Sequence, residues 1–287
     1  MIIREATEAD IERCNGVWLS TQPDLGAGPI PYQPLSMHEL QTGRLTVAEI
    51  DGQVVGFGGT VTRSGVLYLV DLFVSPAHQS HGIGRRLLHA LCATHQGPSF
   101  TFASADPRAQ RLYEQFGMHA VEPYHYLDAR VDSLAPRATD VDLIEAQRAD
   151  ILAIDAVATG RDRAADIDYA TGLGSVWYVA CRNDVGIGAV AIAAPTWWNP
   201  WHPLGARLGP VIAGDAADVG PILAAALAAV QLLRPRPDVV STFAPSSLES
   251  LPALLSAGFD VIDTDLLMAS DPGLIDRRRY VPTVDTP

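Results

Sequence analysis

Two glycines followed by two arginines form the part of this sequence best suited to chemistry. Gly82 and Gly84 precede Arg85 and Arg86 in the run Gln79-Ser-His-Gly-Ile-Gly-Arg-Arg. Glycines lack a Cβ atom, so the main chain can adopt unusual dihedral angles and lie close to a phosphate. Arginines in the first turn of a helix are normally unfavourable, because that end of the helix dipole is already positive. A bound pyrophosphate would reverse this penalty, so the run indicates an anion-binding loop.

The elements around the loop predict how it is positioned. An apolar strand over 66–75 ends before Pro76, and a helix is predicted from about His81 to His95. A strand–loop–helix junction directs several backbone N–H groups at one point. A Gly-x-Gly before a helix is by itself usually only a tight turn. Together with the strand, the proline and the paired arginines, it favours phosphate binding.

A second motif lies downstream, at Asp106-Pro-Arg-Ala-Gln-Arg-Leu-Tyr113-Glu-Gln-Phe-Gly117-Met. The run Gln79-x-x-Gly82-x-Gly84 resembles the acetyl-CoA pyrophosphate loop of GNAT acetyltransferases. The downstream run resembles that family's second motif, Asn-x-x-Ala-x-x-x-Tyr-x-x-x-Gly-Phe. The resemblance covers roughly residues 45–128, in family order and at family spacing. Asp106 stands where the family often has Asn, and before Pro107 we interpret it first as a helix N-cap.

The resemblance implies that the first half of the chain binds acetyl-CoA as acyl donor. It implies that backbone N–H groups around Phe73 and Val74 polarise the thioester carbonyl, where the strand diverges from its neighbour and pairs with the pantetheine arm. The residues predicted to contact the donor are Phe73, Val74, Gln79, Ser80, His81, Gly82, Ile83, Gly84, Arg85 and Asp106.

Tyr113 is the candidate general acid. Acyl transfer from a thioester needs a proton for the leaving thiolate. A phenol with a reference pKa of about 10 can protonate a thiolate whose acid has a pKa of about 8.5 if the geometry favours it. Tyr113 shares a predicted helical face with Ala109 and Phe116, so its ring can point inward. Spacing alone would favour Tyr113 as a packed core residue. The match to the second motif favours Tyr113 as the general acid.

The base that deprotonates the amine is less specified by the sequence. Asp71, on the strand just before the proposed carbonyl donors, is the first candidate, since a carboxylate there could hold the ammonium group and pass its proton through water. Glu49 on a neighbouring strand is the second candidate and His119 the third. Each of these residue types is more often only hydrogen-bonded or solvated.

The second half of the chain repeats the order of elements of the first. We predict an α/β (α+β) fold of two tandem GNAT-like domains, 1–132 and 138–271, each a mixed, mostly antiparallel sheet flanked by helices. Residues 272–287 are predicted as a C-terminal tail, and 139–158 as one helix. Chance similarity of two α/β halves is the alternative to duplication.

The second half is predicted to have lost the cofactor site. Its corresponding loop holds Asp215 and Asp218 where phosphates would lie, and Leu255 stands at the position of Tyr113. Aspartates satisfy a helix N-terminus themselves and repel a diphosphate. A structural role is therefore predicted for this half. Its loop 197–203, with three tryptophans, has three readings: the lining of an acceptor site between the halves, a dimer contact, or local packing.

Net charge and composition restrict the kinds of partner and environment that are expected for this protein. The formal net charge of −13 argues against nucleic acid. It favours a small cationic acceptor, although acidity that merely keeps the protein soluble explains it as well. No apolar run approaches the roughly 20 residues of a membrane span, and the first residues lack a signal-peptide core, so a cytoplasmic protein without membrane contact is predicted. The three cysteines stand far apart and the histidines lack metal-ligand context, so no metal is predicted.

These observations together predict an acetyl-CoA-dependent N-acetyltransferase acting on a primary amine of a small molecule or peptide by direct attack in a ternary complex. A non-catalytic acyl-CoA sensor or scaffold, and an acyltransferase using another acyl-CoA, are the alternatives. The identity of the acceptor is left open, as is a homo-oligomeric state. Tyr32 and His38 mark an acceptor loop by position only.

Overall fold

Among the residues that this computed structural model describes (1–22, 25, 33–135 and 138–286), the first half forms six strands and four α-helices. In chain order these are β1 (Ile2–Glu5), α1 (Ile11–Ser20), α2 (Gln33–Thr42), β2 (Arg44–Ile50), β3 (Gln53–Arg63), β4 (Val66–Val74), α3 (Ile83–Cys92), β5 (Ser99–Ala103), α4 (Pro107–Glu114) and β6 (His119–Arg130). The helix predicted over 81–95 begins later, at Ile83, because Gly82 takes a left-handed conformation just before it, and it ends earlier, at Cys92.

The second half repeats this order element by element. It contains β7 (Asp142–Glu145), α5 (Arg148–Thr159), α6 (Ala164–Gly172), β8 (Ser175–Arg182), β9 (Val185–Ala193), β10 (Ala206–Ala213), α7 (Val219–Leu232), β11 (Val239–Pro245), α8 (Leu251–Ser256) and β12 (Asp260–Ala269), followed by β13 (Tyr280–Val281). The single helix predicted over 139–158 is wrong at its start. Residues 142–145 form a strand because they pair with β8, a long-range contact that four residues of local pattern cannot reveal.

The strands form one continuous sheet in the order β1-β2-β3-β4-β5-β12-β6-β11-β10-β9-β8-β7, with β13 paired to β10. The pairs β4–β5 and β10–β11 are parallel, and the other described pairs are antiparallel. The predicted fold, mixed and mostly antiparallel with flanking helices, is confirmed. The bounds of the two domains stay a prediction.

The two halves exchange their closing strands. β12, from the second half, lies between β5 and β6, and β6 in turn pairs with β11 of the second half. Aromatic side chains of both halves pack at this seam: the Phe102 ring lies 4.9 Å from that of Tyr124 and 4.9 Å from that of Phe243. Because neither half completes its own sheet, the halves are joined through the backbone as well as through side chains.

The C-terminal segment also packs between the halves. The two residues of β13 are buried and pair with β10. The Tyr68 hydroxyl donates a hydrogen bond to the Val284 carbonyl at 2.6 Å, which ties this segment to β4 of the first half. Residues 272–286, predicted only as a tail, therefore contribute to the joint between the halves.

A buried ion network links α2 and β3 to α6. The Asp166 carboxylate accepts hydrogen bonds from Arg63 Nη2 at 2.6 Å and lies 2.8 Å from His38 Nε2. Burial alone would raise the pKa of Asp166, but the hydrogen bonds from His38 and Arg63 outweigh burial and lower it to about 2. The charged form of Asp166 is therefore favoured by folding. His38 thus serves this network, and Tyr32 lies outside the described residues.

We predict that Asp166→Asn destabilises the protein by roughly 3 kcal/mol at neutral pH, because it leaves a buried Arg63 without its anion. The folded-state pKa lies below the unfolded one, so the contribution of Asp166 is present above about pH 4 and is lost as the pH falls toward 2. Urea unfolding at several pH values measures both effects. Asp168→Asn on the same helix removes only an exposed pair with Arg148 and is the control, expected to change stability by less than about 1 kcal/mol. Equal losses in the two variants would contradict the prediction.

Candidate active site

β4 and β5 separate partway along the sheet. β4 pairs with β3 over its whole length, but with parallel β5 only at Leu67 and Tyr68. A bulge in the β3–β4 register lies between the pairs Gly59–Asp71 and Thr60–Leu69, and Thr101 Oγ1 donates to the Leu69 carbonyl at 2.9 Å, where the strands begin to part. Beyond this point the β5 side of β4 is open, which is the divergence expected from the resemblance.

Phe73 and Val74, whose N–H groups are predicted to donate to the thioester carbonyl, point these groups to opposite sides of β4. The Ser75 N–H donates to the Val55 carbonyl at 2.9 Å, so it faces β3. Because N–H groups of alternate residues in a strand point to opposite sides, the Phe73 amide also faces β3, whereas the Val74 amide faces the opening. The Val74 carbonyl, on the same open side, accepts a hydrogen bond from Gln79 Nε2 at 3.1 Å.

The loop after β4 has the shape that its sequence predicts. Gly82 has a φ of 77° at the N-terminus of α3, and no side chain caps that helix end. A Cβ atom on Gly82 would meet nothing within 4 Å, and one on Gly84 would make ordinary contacts with side chains, the nearest being Leu112 at 3.6 Å. Ser80 also has a positive φ, 64°. Amides left without a side-chain cap, beside open space over two glycines, fit a phosphate group.

The loop residues differ in what they offer a ligand. Ile83 is buried against the sheet, so only its backbone can reach a ligand. His81 and Arg85 are exposed, and His81 Nδ1 lies 2.7 Å from the Gln79 carbonyl. A cavity of about 420 Å³ extends from this loop to α4. It is lined by Leu72, Val74, His78, Gln79, Ser80, Gly82, Ile83, Gly84, Arg85, Asp106, Arg108, Ala109, Leu112 and Tyr113.

Asp106 caps α4, as expected, and holds a cation that the sequence analysis did not select. Its carboxylate accepts from the Arg108 N–H at 2.8 Å and pairs with the Arg108 guanidinium at 2.7 Å. The hydrogen bond from Arg108 lowers the pKa of Asp106. Arg108 also reaches Ser80 Oγ and Gln79 Oε1, both at 3.3 Å. It therefore bridges the two motifs; the signal available was a basic residue two positions after the predicted cap.

Tyr113 lies on α4 at the far side of this cavity and is 7% exposed. Burial raises its pKa, and the charges of Asp265 and Asp71 raise it further, so the phenol is protonated at neutral pH. Asp265 comes from β12, the exchanged strand of the second half, and the sequence analysis did not select it. Burial raises the pKa of Asp265 to about 6, partly offset by the hydrogen bond that Tyr126 donates at 2.8 Å.

Asp71 forms a buried carboxyl pair with Glu39 of α2. Both residues are less than 5% exposed. Glu39 lies over Gly59, the register partner of Asp71, and a Cβ atom on Gly59 would overlap Glu39 Oε1. Burial, the charge of Asp71 and their hydrogen bond raise the pKa of Glu39 well above its usual value. Two carboxyl groups buried this close together disfavour a double negative charge, so the pair is suited to share a proton. Glu39 was not selected from the sequence, since only the fold brings α2 onto β3 here.

Glu49 lies elsewhere and already has a partner. Arg4 donates to the Glu49 carboxylate through Nε at 3.0 Å and through Nη2 at 2.8 Å. This pairing neutralises the carboxylate on the outer strands β1 and β2. His119, the third candidate base, is exposed at the start of β6.

The corresponding junction of the second half supplies its own anions. Asp215 Oδ1 accepts from the Ala217 N–H at 2.9 Å, and Asp218, just before α7, pairs with Arg182 at 2.6 Å. Asp215 thus caps the short 3-10 turn before α7, whereas Asp218, at the N-terminus of α7, directs its carboxylate to Arg182 and makes no capping hydrogen bond to the helix.

Residues 10–118 match the family model described as Acetyltransferase (GNAT) family. This span contains β2 to β4, the glycine loop, Arg108 and Tyr113. Over this span, the first half of the chain is therefore similar to the GNAT acetyltransferases. It is also similar to N-alpha-acetyltransferase 40 of Saccharomyces cerevisiae, with 46% identity over 66 residues, which is 19% of this chain and 23% of that protein.

Solved structures extend the likeness to both halves. A putative acetyltransferase from Pyrococcus horikoshii superposes with a TM-score of 0.77 at 16% identity, covering 100% of this chain and 95% of that one. A tandem GNAT protein from the clavulanic acid biosynthesis pathway superposes with a TM-score of 0.62 at 17% identity, covering 95% of this chain and 98% of that one. A GCN5-related N-acetyltransferase from Sphaerobacter thermophilus superposes with a TM-score of 0.63 at 16% identity, covering 100% of this chain and 98% of that one. At these identities the likeness establishes the fold alone.

Across the described part of the chain, no helix combines the length and apolar character needed to cross a bilayer. Within the same residues, no three His, Cys, Asp or Glu side chains are grouped so as to hold a metal ion.

We predict that Arg108→Met weakens the binding of acetyl-CoA by roughly tenfold or more, because one charge-assisted contact to a phosphate is lost together with the bridge to Ser80 and Gln79. Calorimetric titration measures the change. Arg111→Met on the same helix is the control, since Arg111 is exposed and does not line the cavity. If both variants bind as wild type does, Arg108 has no part in donor binding.

Proposed function

We propose that this protein transfers an acetyl group from acetyl-CoA to a primary amine of a small molecule or peptide, by direct attack in a ternary complex. The observation that carries the proposal is the open edge of β4, with the uncapped glycine loop and Tyr113 beside one cavity and the Asp71–Glu39 pair next to the same strand. An acyl-binding sensor would need the loop but neither the tyrosine nor the carboxyl pair.

The glycine loop and Arg108 would hold the pyrophosphate of the donor. Gly82 and Gly84 leave space for it, the N-terminal amides of α3 donate to it, and Arg85 and Arg108 supply positive charge. Bound there, the donor supplies an activated acetyl thioester. The Val74 amide, directed at the opening, would then donate a hydrogen bond to the thioester carbonyl oxygen.

Tyr113 and Asp71 divide the proton transfers. On this proposal the Asp71–Glu39 pair takes the proton of the acceptor ammonium, directly or through water. The neutral amine attacks the carbonyl carbon, the carbon–sulfur bond breaks, and the Tyr113 hydroxyl gives its proton to the leaving thiolate. The second proton of the attacking nitrogen then returns to the Tyr113 oxygen, directly or through water, which completes the amide and restores the phenol. The position of Tyr113 supports this role, since its side chain lines the cavity that extends from the glycine loop and its phenol is protonated at neutral pH. Glu49 is set aside because Arg4 neutralises it.

We further propose that the second half does not bind a donor, because Asp215 and Asp218 place two carboxylates beside the start of α7, where they would repel a diphosphate. The cytoplasmic location and the possibility of a homo-oligomer stay predictions.

Calorimetric titration with acetyl-CoA tests this division. We expect binding of about one molecule per chain, and loss of binding in the double variant Gly82→Asp/Gly84→Asp, whose carboxylates repel the phosphates. Circular dichroism of the double variant checks that it remains folded. Two molecules per chain would refute the proposed loss of the second site, and no binding by folded wild type would refute the function.

We expect Tyr113→Phe and Asp71→Asn each to lower kcat by roughly 100-fold or more, with acetyl-CoA affinity within a few-fold of wild type, because each removes a proton-transfer group and leaves the donor site intact. Thiol release with a panel of amines measures kcat. Tyr124→Phe is the control, since the hydroxyl of this buried tyrosine has no hydrogen-bond partner and its loss should leave turnover unchanged. A Tyr113→Phe variant with near wild-type kcat would eliminate Tyr113 as the acid.

A further inference from the structure

A second cavity, of about 190 Å³, lies between the two halves. Its walls come from α1 and α2 of the first half, from the exchanged strand region, from the loop 197–203 and from the C-terminal segment. Six of its aromatic residues are Trp18, Tyr126, Tyr169, Trp198, Trp201 and Phe243. The cavity thus exists only because the second half is packed on the first.

Two helices connect this cavity to the carboxyl pair. On α2, Leu35 lines the cavity and Glu39 follows it by one helical turn, so both side chains lie on one face of the helix. On α1, Trp18 lines the cavity one turn after Cys14, whose pKa is raised by burial and by the nearby charges of Glu39 and Asp71, among others. Asp71 and Glu39 do not themselves line the cavity, but both helices carry a lining residue about one turn from the carboxyl pair or from a residue that its charges affect.

The rings of the cavity are already arranged in contact with one another. Trp18 and Trp201, from opposite halves, lie edge to face with centroids 6.0 Å apart. The Arg207 guanidinium lies 4.0 Å above the centre of the Trp198 ring. Rings held this way offer both faces and edges to a further ring.

The carboxylates that line the cavity already have partners. Asp128 lies 2.7 Å from His202 Nε2, and Asp285 lies 2.5 Å from Arg207 Nη1. Among the described residues of this wall, a polyamine, with several charges spread along its length, would find no carboxylate without a partner. A ligand with one ammonium group and an apolar body fits both this wall and the neighbouring carboxyl pair.

One buried hydroxyl in the wall has no partner. Thr242 is 4% exposed, its Oγ1 makes no hydrogen bond within the described structure, and it lines the cavity. Buried polar atoms are nearly always paired. A polar group on the ligand would supply the missing partner.

We propose that this cavity, formed jointly by the two halves, binds the body of the acceptor, an amine carried on an aromatic or similarly flat apolar group, and holds its ammonium end toward Asp71 and Glu39. The inference rests on the proposed function and gives the acceptor a chemical class. It also gives the second half a task in substrate selection that does not require it to bind acetyl-CoA.

The loop 197–203 provides a matched pair of variants. Trp201 lines the cavity and is 52% exposed, whereas Trp197 does not line it and is 47% exposed. We expect Trp201→Ala to raise KM for 2-phenylethylamine and tryptamine by roughly tenfold or more and to leave KM for acetyl-CoA unchanged. Trp197→Ala should leave all constants within about twofold. In wild type, kcat/KM for the two aromatic amines should exceed that for spermidine by roughly tenfold or more.

Calorimetric binding of 2-phenylethylamine, measured without turnover, separates this inference from the proposed function. Binding that Trp201→Ala weakens and Trp197→Ala does not supports the cavity, even if no amine is acetylated. Acetylation of amines with equal constants in the two variants, a preference for spermidine, or no binding of either aromatic amine would overturn the cavity assignment. In the first two of these cases the acetyltransferase function would still stand.

Discussion

The antiparallel pairing of β6 with β12 at the centre of the sheet brings together strands that are far apart in sequence. Each of these strands ends one half of the chain, and each lies beside the penultimate strand of the other half. Backbone hydrogen bonds in a ladder must be made by a neighbouring strand or left to water. In the exchanged arrangement, β5 and β11 each gain this neighbour from the other half. The rings of Phe102, Tyr124 and Phe243 pack where the halves meet, so apolar burial reinforces the same joint.

This joint determines what surrounds the candidate active site. β12 carries Asp265 into reach of Tyr113, although the two residues belong to different halves. Packing the halves together also places α6 against α2, where Asp166 holds Arg63 and His38. α2 is in turn the helix that carries Glu39 and Leu35. The network around Asp166 therefore supports the helix on which both the carboxyl pair and one wall of the interdomain cavity depend.

The two halves share one order of elements but differ at a single helix end. In the first half, an uncapped glycine turn leaves backbone amides for an anion. In the second half, Asp218 stands at the N-terminus of α7 and pairs with Arg182, and Asp215 caps the short 3-10 turn before that helix. A few side chains at one turn are enough for this difference, because carboxylates beside a helix N-terminus repel an incoming diphosphate. The fold can then be kept in both halves while donor binding is proposed for only one.

Local chemistry in the sequence was sufficient to identify the glycine loop, the capping role of Asp106, the inward position of Tyr113 and the repeated order of elements. These features depend on dihedral preference, helix periodicity and turn chemistry, which act over a few residues. It did not reveal the strand at 142–145, the exchange of β6 and β12, the packing of the C-terminal segment or the partner of Glu49. Nor did it identify Glu39 beside Asp71, or Asp265 near Tyr113. Each of these is a contact between segments distant in the chain. Asp71 and Glu39 can share a proton, and the loop 197–203 can line a cavity, only because tertiary packing excludes water around them and brings a second element within reach.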